Sequence, residues 1–396
     1  MDHTSAVDQL ITLFDREPSL RADLERSLQQ AHQRAHTELK PALLDALTWP
    51  TTIDEYTAFL HDFSTWIPRQ SSSEAWEQGP PGQRQAHEVS DRLAHFFWLV
   101  DQQVGDSHRV VESSTAFGDW LTEFARQWGS FLDTPASFDD EILQSFIDDA
   151  PAYAVGDSMI NGRPNMPSGW LTFNQFFARE LNGGLRPITD PDDNRTVTSP
   201  ADCIFQHSYD IDDRSSIPAT TIKTTHTYGN IAQLIAGSRY ADAFAGGTFV
   251  HYMLPPSAYH RFHLPVAGRV EEVIGLTGQV YLEVDIDDHQ FVSKDSATTG
   301  FEFSQSRGVV TLDTSVGGHG DIGIVAVVAV GMAHVASVVL TATEGTHGAK
   351  GDEFGYFQFG GSDIIVVFQP GVVADVDTNT APRQVGTPIV TCTARR

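Results

Sequence analysis

Cysteine and lysine are both scarce in this chain of 396 residues. Its two cysteines, Cys203 and Cys392, are too few for the disulfide framework of a small secreted protein, so we expect free thiols in a reducing compartment. Only four of the 25 basic residues are lysines, and 52 acidic residues give a net charge of −27. A surface this acidic disfavours binding to nucleic acid and docking on an anionic membrane, because both rely on basic side chains.

Long apolar runs are missing as well. Segment 322–332, one of the longest, is too short to cross a bilayer and contains glycine. After Met1 the chain continues as an acidic amphipathic segment and not as the basic start of a signal peptide. We therefore expect a cytoplasmic protein with no stable membrane anchor.

Residues 1–150 carry the periodicity of helices. Apolar residues recur at intervals of three and four, as at Leu93, Phe96 and Phe97. Thr52 and Glu55 have the spacing of a capping box, and Ser137 precedes an acidic stretch typical of a first helical turn. No catalytic cluster stands out in this part, which predicts a helical N-terminal domain that serves as a cap or scaffold.

From about residue 196 the pattern indicates β-structure. Short runs rich in valine, isoleucine and threonine are separated by turn residues, and no long helix lies between them. The chain is therefore predicted to be an α+β protein, with a helical domain over residues 1–150 and a second domain, 151–396, built as a mostly antiparallel β sandwich or barrel. The predicted strands are 249–254, 268–274, 280–286, 308–312, 322–330, 335–340, 364–368 and 388–392.

The stretch Gly360-Gly361-Ser362-Asp363 lies between two strand-like runs. Its simplest interpretation is a hairpin turn. Glycine also permits backbone conformations that other residues resist, so the same stretch could hold a serine that attacks the carbonyl before it. A serine hydroxyl is too weakly acidic to do so unaided and needs a base nearby.

Upstream residues offer that base and an acid to orient it. Asp202, His260 and His263 could complete a Ser/His/Asp set, although order along the chain does not identify one. The same histidines have a rival use as metal ligands. In that case a third ligand would come from His207, His251 or His334.

A carrier module is a third alternative. The stretch from Glu344 to Phe357 has the shape of the hairpin on which biotinyl and lipoyl domains present a lysine. Lys350 lies in the wrong part of that pattern, which favours a shared hairpin shape over a shared function.

Four segments between residues 170 and 370 combine into a known pattern. They resemble, in the correct order, the phosphatidylserine decarboxylase family, and the helical extension together with the Gly-Gly-Ser turn resembles its soluble, tryptophan-decarboxylase-like branch. Cys203 and Asp363 stand where that family usually has glycine and Thr or Ser. The matching residues are Phe173, Phe176, Phe177 and Arg179 with Arg186-Pro187; Pro200-Ala201-Asp202; the Tyr-His-Arg-x-His-x-Pro run from Tyr259 to Pro265; and the Lys-Gly-x-Glu-x-Gly-x-Phe run from Lys350 to Phe357, followed by Gly361-Ser362.

The resemblance implies that Ser362 is the precursor of a covalent pyruvoyl cofactor. His263, oriented by Asp202, would take the proton of Ser362, whose oxygen would then attack the carbonyl of Gly361. Gly360 and Gly361 would permit this approach, and the chain would be cut between Gly361 and Ser362. The two products, 1–361 and 362–396, would stay associated, and the assembly could form a homo-oligomer.

In turnover, by the same resemblance, the pyruvoyl ketone would form a Schiff base with the substrate amine and promote loss of carbon dioxide. His260 would return a proton to the carbon, and no metal is needed. An acidic chain without an anchor favours a free, aromatic L-amino acid such as tryptophan as substrate. The first alternative is the phosphatidylserine head group, giving phosphatidylethanolamine, and the second is an unprocessed, non-enzymatic β-rich binding protein.

Overall fold

The computed structural model describes residues 5–79, 84–104, 110–222, 226–280, 282–293, 301–332 and 338–395. The chain forms two compact units. The first comprises Met1–Gly156, Trp170–Phe176 and Gln279–Asp295, and the second comprises Asp157–Gly169, Phe177–Gly278 and Ser296–Arg396. The helical unit therefore takes in two segments that lie beyond residue 150. Among the described residues, no helix has both the length and the apolar character needed to cross a bilayer.

Most of the helices lie in the first 150 residues, as the sequence predicts. They are α1 (Ala6–Arg16), α2 (Pro18–Glu38), α3 (Pro41–Ala46), α4 (Ile53–Phe63), α5 (Glu88–Trp98), α6 (Thr115–Leu132), α7 (Asp140–Asp149), α8 (Phe173–Phe177) and α9 (Ile231–Leu234).

Most of the strands follow residue 196. They are β1 (Glu77–Gln78), β2 (Gln85–Ala86), β3 (Met159–Ile160), β4 (Arg163–Pro164), β5 (Thr196–Thr198), β6 (Ile204–Asp210), β7 (Ser216–Ile222), β8 (His226–Asn230), β9 (Thr248–Leu254), β10 (Arg261–His263), β11 (Gly268–Leu276), β12 (Val284–Asp287), β13 (Gln290–Ser293), β14 (Arg307–Asp313), β15 (Ile324–Met332), β16 (Val338–Leu340), β17 (His347–Gly348), β18 (Glu353–Phe357), β19 (Gly361–Phe368), β20 (Val373–Val376) and β21 (Pro388–Cys392).

An aromatic cluster forms the centre of the first unit. Phe63 of α4 packs against Phe96 of α5 at 4.8 Å between ring centroids and against Trp128 of α6 at 5.1 Å. Rings at these separations add to the stability gained by burying their area. The capping box predicted at Thr52 and Glu55 is present at the start of α4. The start predicted at Ser137 is wrong, because Asp139 caps α7 and the Ser137 hydroxyl accepts a hydrogen bond from the amide of Phe173 instead.

A seven-stranded antiparallel sheet is the frame of the second unit. Its strand order is β17-β11-β14-β15-β19-β9-β6. Central strands β15 and β19 are nearly continuous runs of valine, isoleucine and alanine, as expected of strands that are buried on both faces. The sheet is open in the described part of the chain, because its outer strands β17 and β6 are not paired with each other.

Each face of this sheet is covered by a separate apolar layer. On one face, side chains such as Val327, Ile364 and Val366 pack against two three-stranded sheets, β10-β18-β16 and β20-β21-β5. On the other face, Ile365 and Val367 pack with residues of α9 and of two short 3-10 segments. The predicted α+β class is confirmed, whereas the barrel form is wrong. A sheet covered on both faces can satisfy its core without closing on itself.

Candidate active site

Ser362 occupies the start of β19 and not the tip of a turn. It lies opposite Gly331 of β15 and Leu254 of β9, and its side chain is almost fully buried. Gly360, just before the strand, has φ of 145°, a conformation that a residue with a side chain rarely adopts. The hairpin interpretation of this stretch is therefore wrong, since the serine belongs to the middle of a sheet. The bond between Gly361 and Ser362 is therefore the first bond of β19, directly after the permissive Gly360.

His260 is the residue that contacts the serine. Its Nδ1 lies 3.3 Å from Oγ of Ser362, and its Nε2 lies 3.1 Å from the carbonyl oxygen of Pro256. A carbonyl oxygen only accepts hydrogen bonds, so Nε2 carries the proton and donates it to Pro256. Nδ1 is then left with a lone pair toward Ser362, in the arrangement that a base needs to receive the hydroxyl proton.

Aromatic rings keep His260 out of water. Phe177 stacks on the imidazole at 4.0 Å between ring centroids, and Phe359 meets Phe177 edge-on at 5.1 Å. Burial, with a smaller contribution from the charge of Arg179, lowers the pKa of His260 to about 3, although the hydrogen bond to Pro256 opposes the shift. Burial disfavours the charged form of histidine, so the imidazole is neutral near pH 7.

His263, which was expected to be the base, is not placed on Ser362. Its Nδ1 lies 2.8 Å from the carbonyl oxygen of Gly351, and its Nε2 lies 3.1 Å from the hydroxyl of Tyr259. Side chains alternate along β10, so that Phe262 turns into the core while His263 turns away from it. Burial lowers the pKa of His263, and the Gly351 carbonyl opposes that shift. The predicted contact between His263 and Ser362 is therefore wrong.

Asp202 also has partners other than the expected one. One of its oxygens accepts from Nε of Arg186 and from the backbone amide of Val385, both at 2.9 Å. The guanidinium binds both carboxylate oxygens, a geometry that makes such pairs strong. The hydrogen bonds of Asp202 thus hold Arg186 and the backbone at Val385, while its charge acts on His263 without a hydrogen bond and opposes the lowering of that imidazole's pKa by burial.

Asp363 points to the opposite face of the sheet from Ser362. Its Oδ2 lies 3.1 Å from Nε2 of His251 on β9, and both side chains are buried. Burial lowers the pKa of His207, on the neighbouring strand β6, and the nearby His251 adds to that shift. Of the two histidines considered above as metal ligands, His251 lies on β9, which pairs with β19, and His207 lies on β6, the next strand beyond β9.

A metal centre is not found among the described residues. No group of three or more His, Cys, Asp or Glu side chains in those residues is arranged to hold an ion. His260 and His263 direct their ring nitrogens at different partners, and His334 lies outside the described residues.

Lys350 is buried and bound, which excludes the carrier interpretation. Its ammonium group donates to the carbonyl oxygens of Asp190 and Asp193, both at 2.6 Å, and of Thr196 at 2.7 Å. A carrier lysine must instead be exposed at the tip of its hairpin. Lys350 ties the loop before β5 to the segment before β18.

Replacing Lys350 should destabilise the protein without touching Ser362. Lys350→Met removes a charged donor from three part-buried carbonyl groups, so we expect the free energy of unfolding to fall by about 2 kcal/mol. The measurement is urea unfolding. Arg195→Ala is the matched control, since it breaks a salt bridge with Asp193 that is open to solvent and should change stability little. Equal losses in the two variants would contradict a structural role for Lys350.

Cys203 fits its position without strain. The residue is buried in the core, its sulfur lies 3.2 Å from Oγ of Ser199, and its backbone bonds to Arg383. Its φ is not among the positive values, so the position does not require glycine. Burial raises the pKa of this thiol to about 12, which makes it unreactive near neutral pH.

Two features of the site were not foreseen from the sequence. Phe177 belongs to a motif of the family pattern, and its stacking on His260 has no local signal in the chain. His251 is considered above only as a possible metal ligand, and its pairing with Asp363 depends on a strand register that the sequence does not reveal.

Comparisons with known proteins agree with the order of these segments. The family model described as "Phosphatidylserine decarboxylase" matches residues 173–390, more than half of the chain. "Phosphatidylserine decarboxylase proenzyme" from Clostridium novyi is 30% identical over 285 residues, covering 71% of this chain and 84% of that protein. The protein of the same name from Vibrio parahaemolyticus is 27% identical over 240 residues, covering 58% of this chain and 82% of its own length.

A rice relative is matched over a smaller share of its length. "Phosphatidylserine decarboxylase proenzyme 2" from Oryza sativa is 30% identical over 272 residues, which are 67% of this chain but only 40% of the rice protein. The chain therefore spans less than half of that plant protein and most of the bacterial ones. None of these names supports the tryptophan-decarboxylase-like branch. With a family model matched over more than half of its residues, the chain belongs to the phosphatidylserine decarboxylase family.

Proposed function

We propose that this chain is a proenzyme that cuts itself between Gly361 and Ser362 and then decarboxylates phosphatidylserine. The observation that carries the proposal is the buried contact of Ser362 with a neutral His260, 3.3 Å from Nδ1 to Oγ. Any buried hydroxyl needs a hydrogen-bond partner. A neutral imidazole nitrogen is a partner that can also take the proton and so activate the serine as a nucleophile.

The cut can be written with the residues in place. His260 takes the hydroxyl proton while Oγ of Ser362 adds to the carbonyl carbon of Gly361. The peptide bond between Gly361 and Ser362 then breaks, its nitrogen takes up a proton, and an ester joins the two residues. Removal of the Cα proton of residue 362 expels the carboxylate of Gly361 and leaves a dehydroalanine. One water molecule hydrolyses its imine form, ammonia leaves, and residue 362 becomes a pyruvoyl group.

A pyruvoyl group suits the position of residue 362. The family's proenzymes form this cofactor from a serine on self-cleavage, and the group is no larger than the serine that precedes it. When present, its ketone withdraws electrons from the amine-bearing carbon of the substrate and so favours loss of the carboxylate. His260 would then hold a nitrogen beside that carbon, while Phe177 and Phe359 exclude water.

The two products would remain one protein. Segment 362–396 supplies β19, which is hydrogen-bonded to β15 on one side and β9 on the other. Its apolar side chains fill both layers of the core. Separating the chains would expose that whole strand, so cleavage should leave the fold intact.

The substrate proposal departs from the expectation of a free aromatic amino acid. All three relatives described above are named for phosphatidylserine, and nothing in the comparisons supports tryptophan. The amine and the carboxylate that the chemistry requires are both present on the serine head group. Phosphatidylserine is therefore the substrate that the family relationship favours.

Mass and product assays test the two parts of the proposal separately. The purified wild-type chain should show two masses, for residues 1–361 and 362–396, in place of 43.4 kDa. Vesicles of phosphatidylserine should then yield phosphatidylethanolamine, and free L-tryptophan should yield no carbon dioxide. Turnover of tryptophan but not of phosphatidylserine would favour a free amino acid as substrate. A wild-type chain that stays uncut would favour the non-enzymatic binding protein.

A further inference from the structure

Strand β19 carries one charged residue among apolar neighbours. Its sequence from Gly361 to Phe368 is Gly-Ser-Asp-Ile-Ile-Val-Val-Phe, so Asp363 is the charge. The residues after it are apolar at every position and are buried on both faces of the sheet. In such a strand the hydrophobic pattern does not distinguish one register from the next.

Register decides whether Ser362 meets its base. Side chains alternate between the faces of a sheet, and a slip of one residue moves each of them to the other face. In the observed register Ser362 faces His260, on the side covered by β10 and β18. A slip by one position would turn residue 362 to the layer that contains Ile365 and Val367, away from the imidazole.

The buried pair of Asp363 and His251 distinguishes the two registers. Oδ2 of Asp363 lies 3.1 Å from Nε2 of His251, and the two side chains are 0% and 1% exposed. Val330 lies opposite Asp363 on β15 and Phe249 lies 6.2 Å from the His251 ring, while His207 of β6 lies opposite His251. A carboxylate placed elsewhere in this core would lose its partner, and burying it alone is unfavourable.

We propose that Asp363 is a positioning residue which, paired with His251, fixes the register of β19 so that residue 362 faces His260. The inference rests on the proposed self-cleavage. It gives a function to the residue that departs from the family's usual Thr or Ser.

The test follows self-cleavage by intact mass in a double-mutant cycle. Asp363→Asn and His251→Gln keep the approximate size of each side chain but remove the carboxylate or the imidazole of the pair, so each should slow cleavage at least tenfold. Because both act through one contact, the double variant should be no slower than the slower single variant. Effects that multiply in the double variant would overturn the proposal.

A control separates positioning from general stability. Val367→Ala removes buried volume from the same face of the same strand, so it should lower the melting temperature while cleavage stays within about twofold of wild type. If Asp363→Asn cleaves within twofold of wild type, or slows no more than Val367→Ala does, Asp363 has no positioning role. If Asp363→Asn does not fold, the cleavage rate of His251→Gln is compared with that of Val367→Ala in the same way.

A wild-type chain that stays uncut would overturn the proposed function as well. A wild-type chain that is cut, with variants that cleave at the same rate, would overturn this inference alone.

Discussion

Ser362→Ala should leave the chain as a single species of 43.4 kDa with no decarboxylase activity. The substitution removes one oxygen atom from a buried residue of β19 and leaves the strand pairing with β15 and β9 in place. Without Oγ there is no nucleophile for the carbonyl of Gly361 and no precursor for the cofactor. Both losses should therefore be complete and should occur together, as seen by intact mass and by release of carbon dioxide from phosphatidylserine.

Ser199→Ala is the matched control for this experiment. Ser199 is also a buried serine of the second unit, and its hydroxyl donates to the carbonyl of Ala201, 2.7 Å away. Its loss should cost about 1 kcal/mol of stability while cleavage proceeds normally. Two masses from Ser362→Ala would show that the chain is cut elsewhere or by another protein. Turnover by the uncut variant would disprove the cofactor assignment.

The fold was predictable where the chain is strongly patterned. The apolar parts of β15 and β19 were predictable because continuous apolar runs of this length fit buried strands, but β19 begins at Gly361 and not at 364, so the prediction left Ser362 and Asp363 outside the strand. The helical start at Thr52 was found because its capping residues are local. Whether the sheet stays open or closes into a barrel was not predictable, since this depends on which strands lie at the edges and on what covers each face.

The site was predictable in its residues but not in its contacts. Ser362, His260, His263 and Asp202 all lie in the second unit, yet spacing does not tell which histidine meets the serine. The pairing of β10 with β18 shifts register between Phe262 and His263, an irregularity that no sequence spacing reveals. The partner of Asp202 is Arg186, and two residues of opposite charge 16 positions apart give no sign of their pairing in advance.

Burial has two opposing effects on the proposed base. It keeps Nδ1 of His260 unprotonated, so the lone pair is available near neutral pH. It also disfavours the imidazolium that forms when the proton is accepted, which makes this a weak base. Self-cleavage takes place once per chain, so a slow step suffices.

His260→Ala should slow self-cleavage by roughly a hundredfold or more, the lower range of what a positioned base contributes. The loss follows from the contact between Nδ1 and Oγ of Ser362, which no other described side chain is seen to make. Freshly purified chain would be sampled over time, with the uncut fraction measured by intact mass. His260→Phe is the second variant, because it fills the space beside Phe177 and so separates loss of the base from loss of packing.

His263→Ala is the decisive comparison, since the resemblance assigns the base to His263 and the geometry assigns it to His260. His263 binds Gly351 and Tyr259, so its loss should loosen that loop and lower the melting temperature, yet leave most of the cleavage rate.

The pH dependence of the cleavage rate is a second test of His260 as the base. With the pKa of His260 lowered to about 3, its neutral fraction hardly changes between pH 8 and 5, so protonation of this base should not slow cleavage in that range. Rapid cleavage of His260→Ala together with an uncut His263→Ala would show that His263 is the base. The precursor would then have to rearrange around β10 before Ser362 could react.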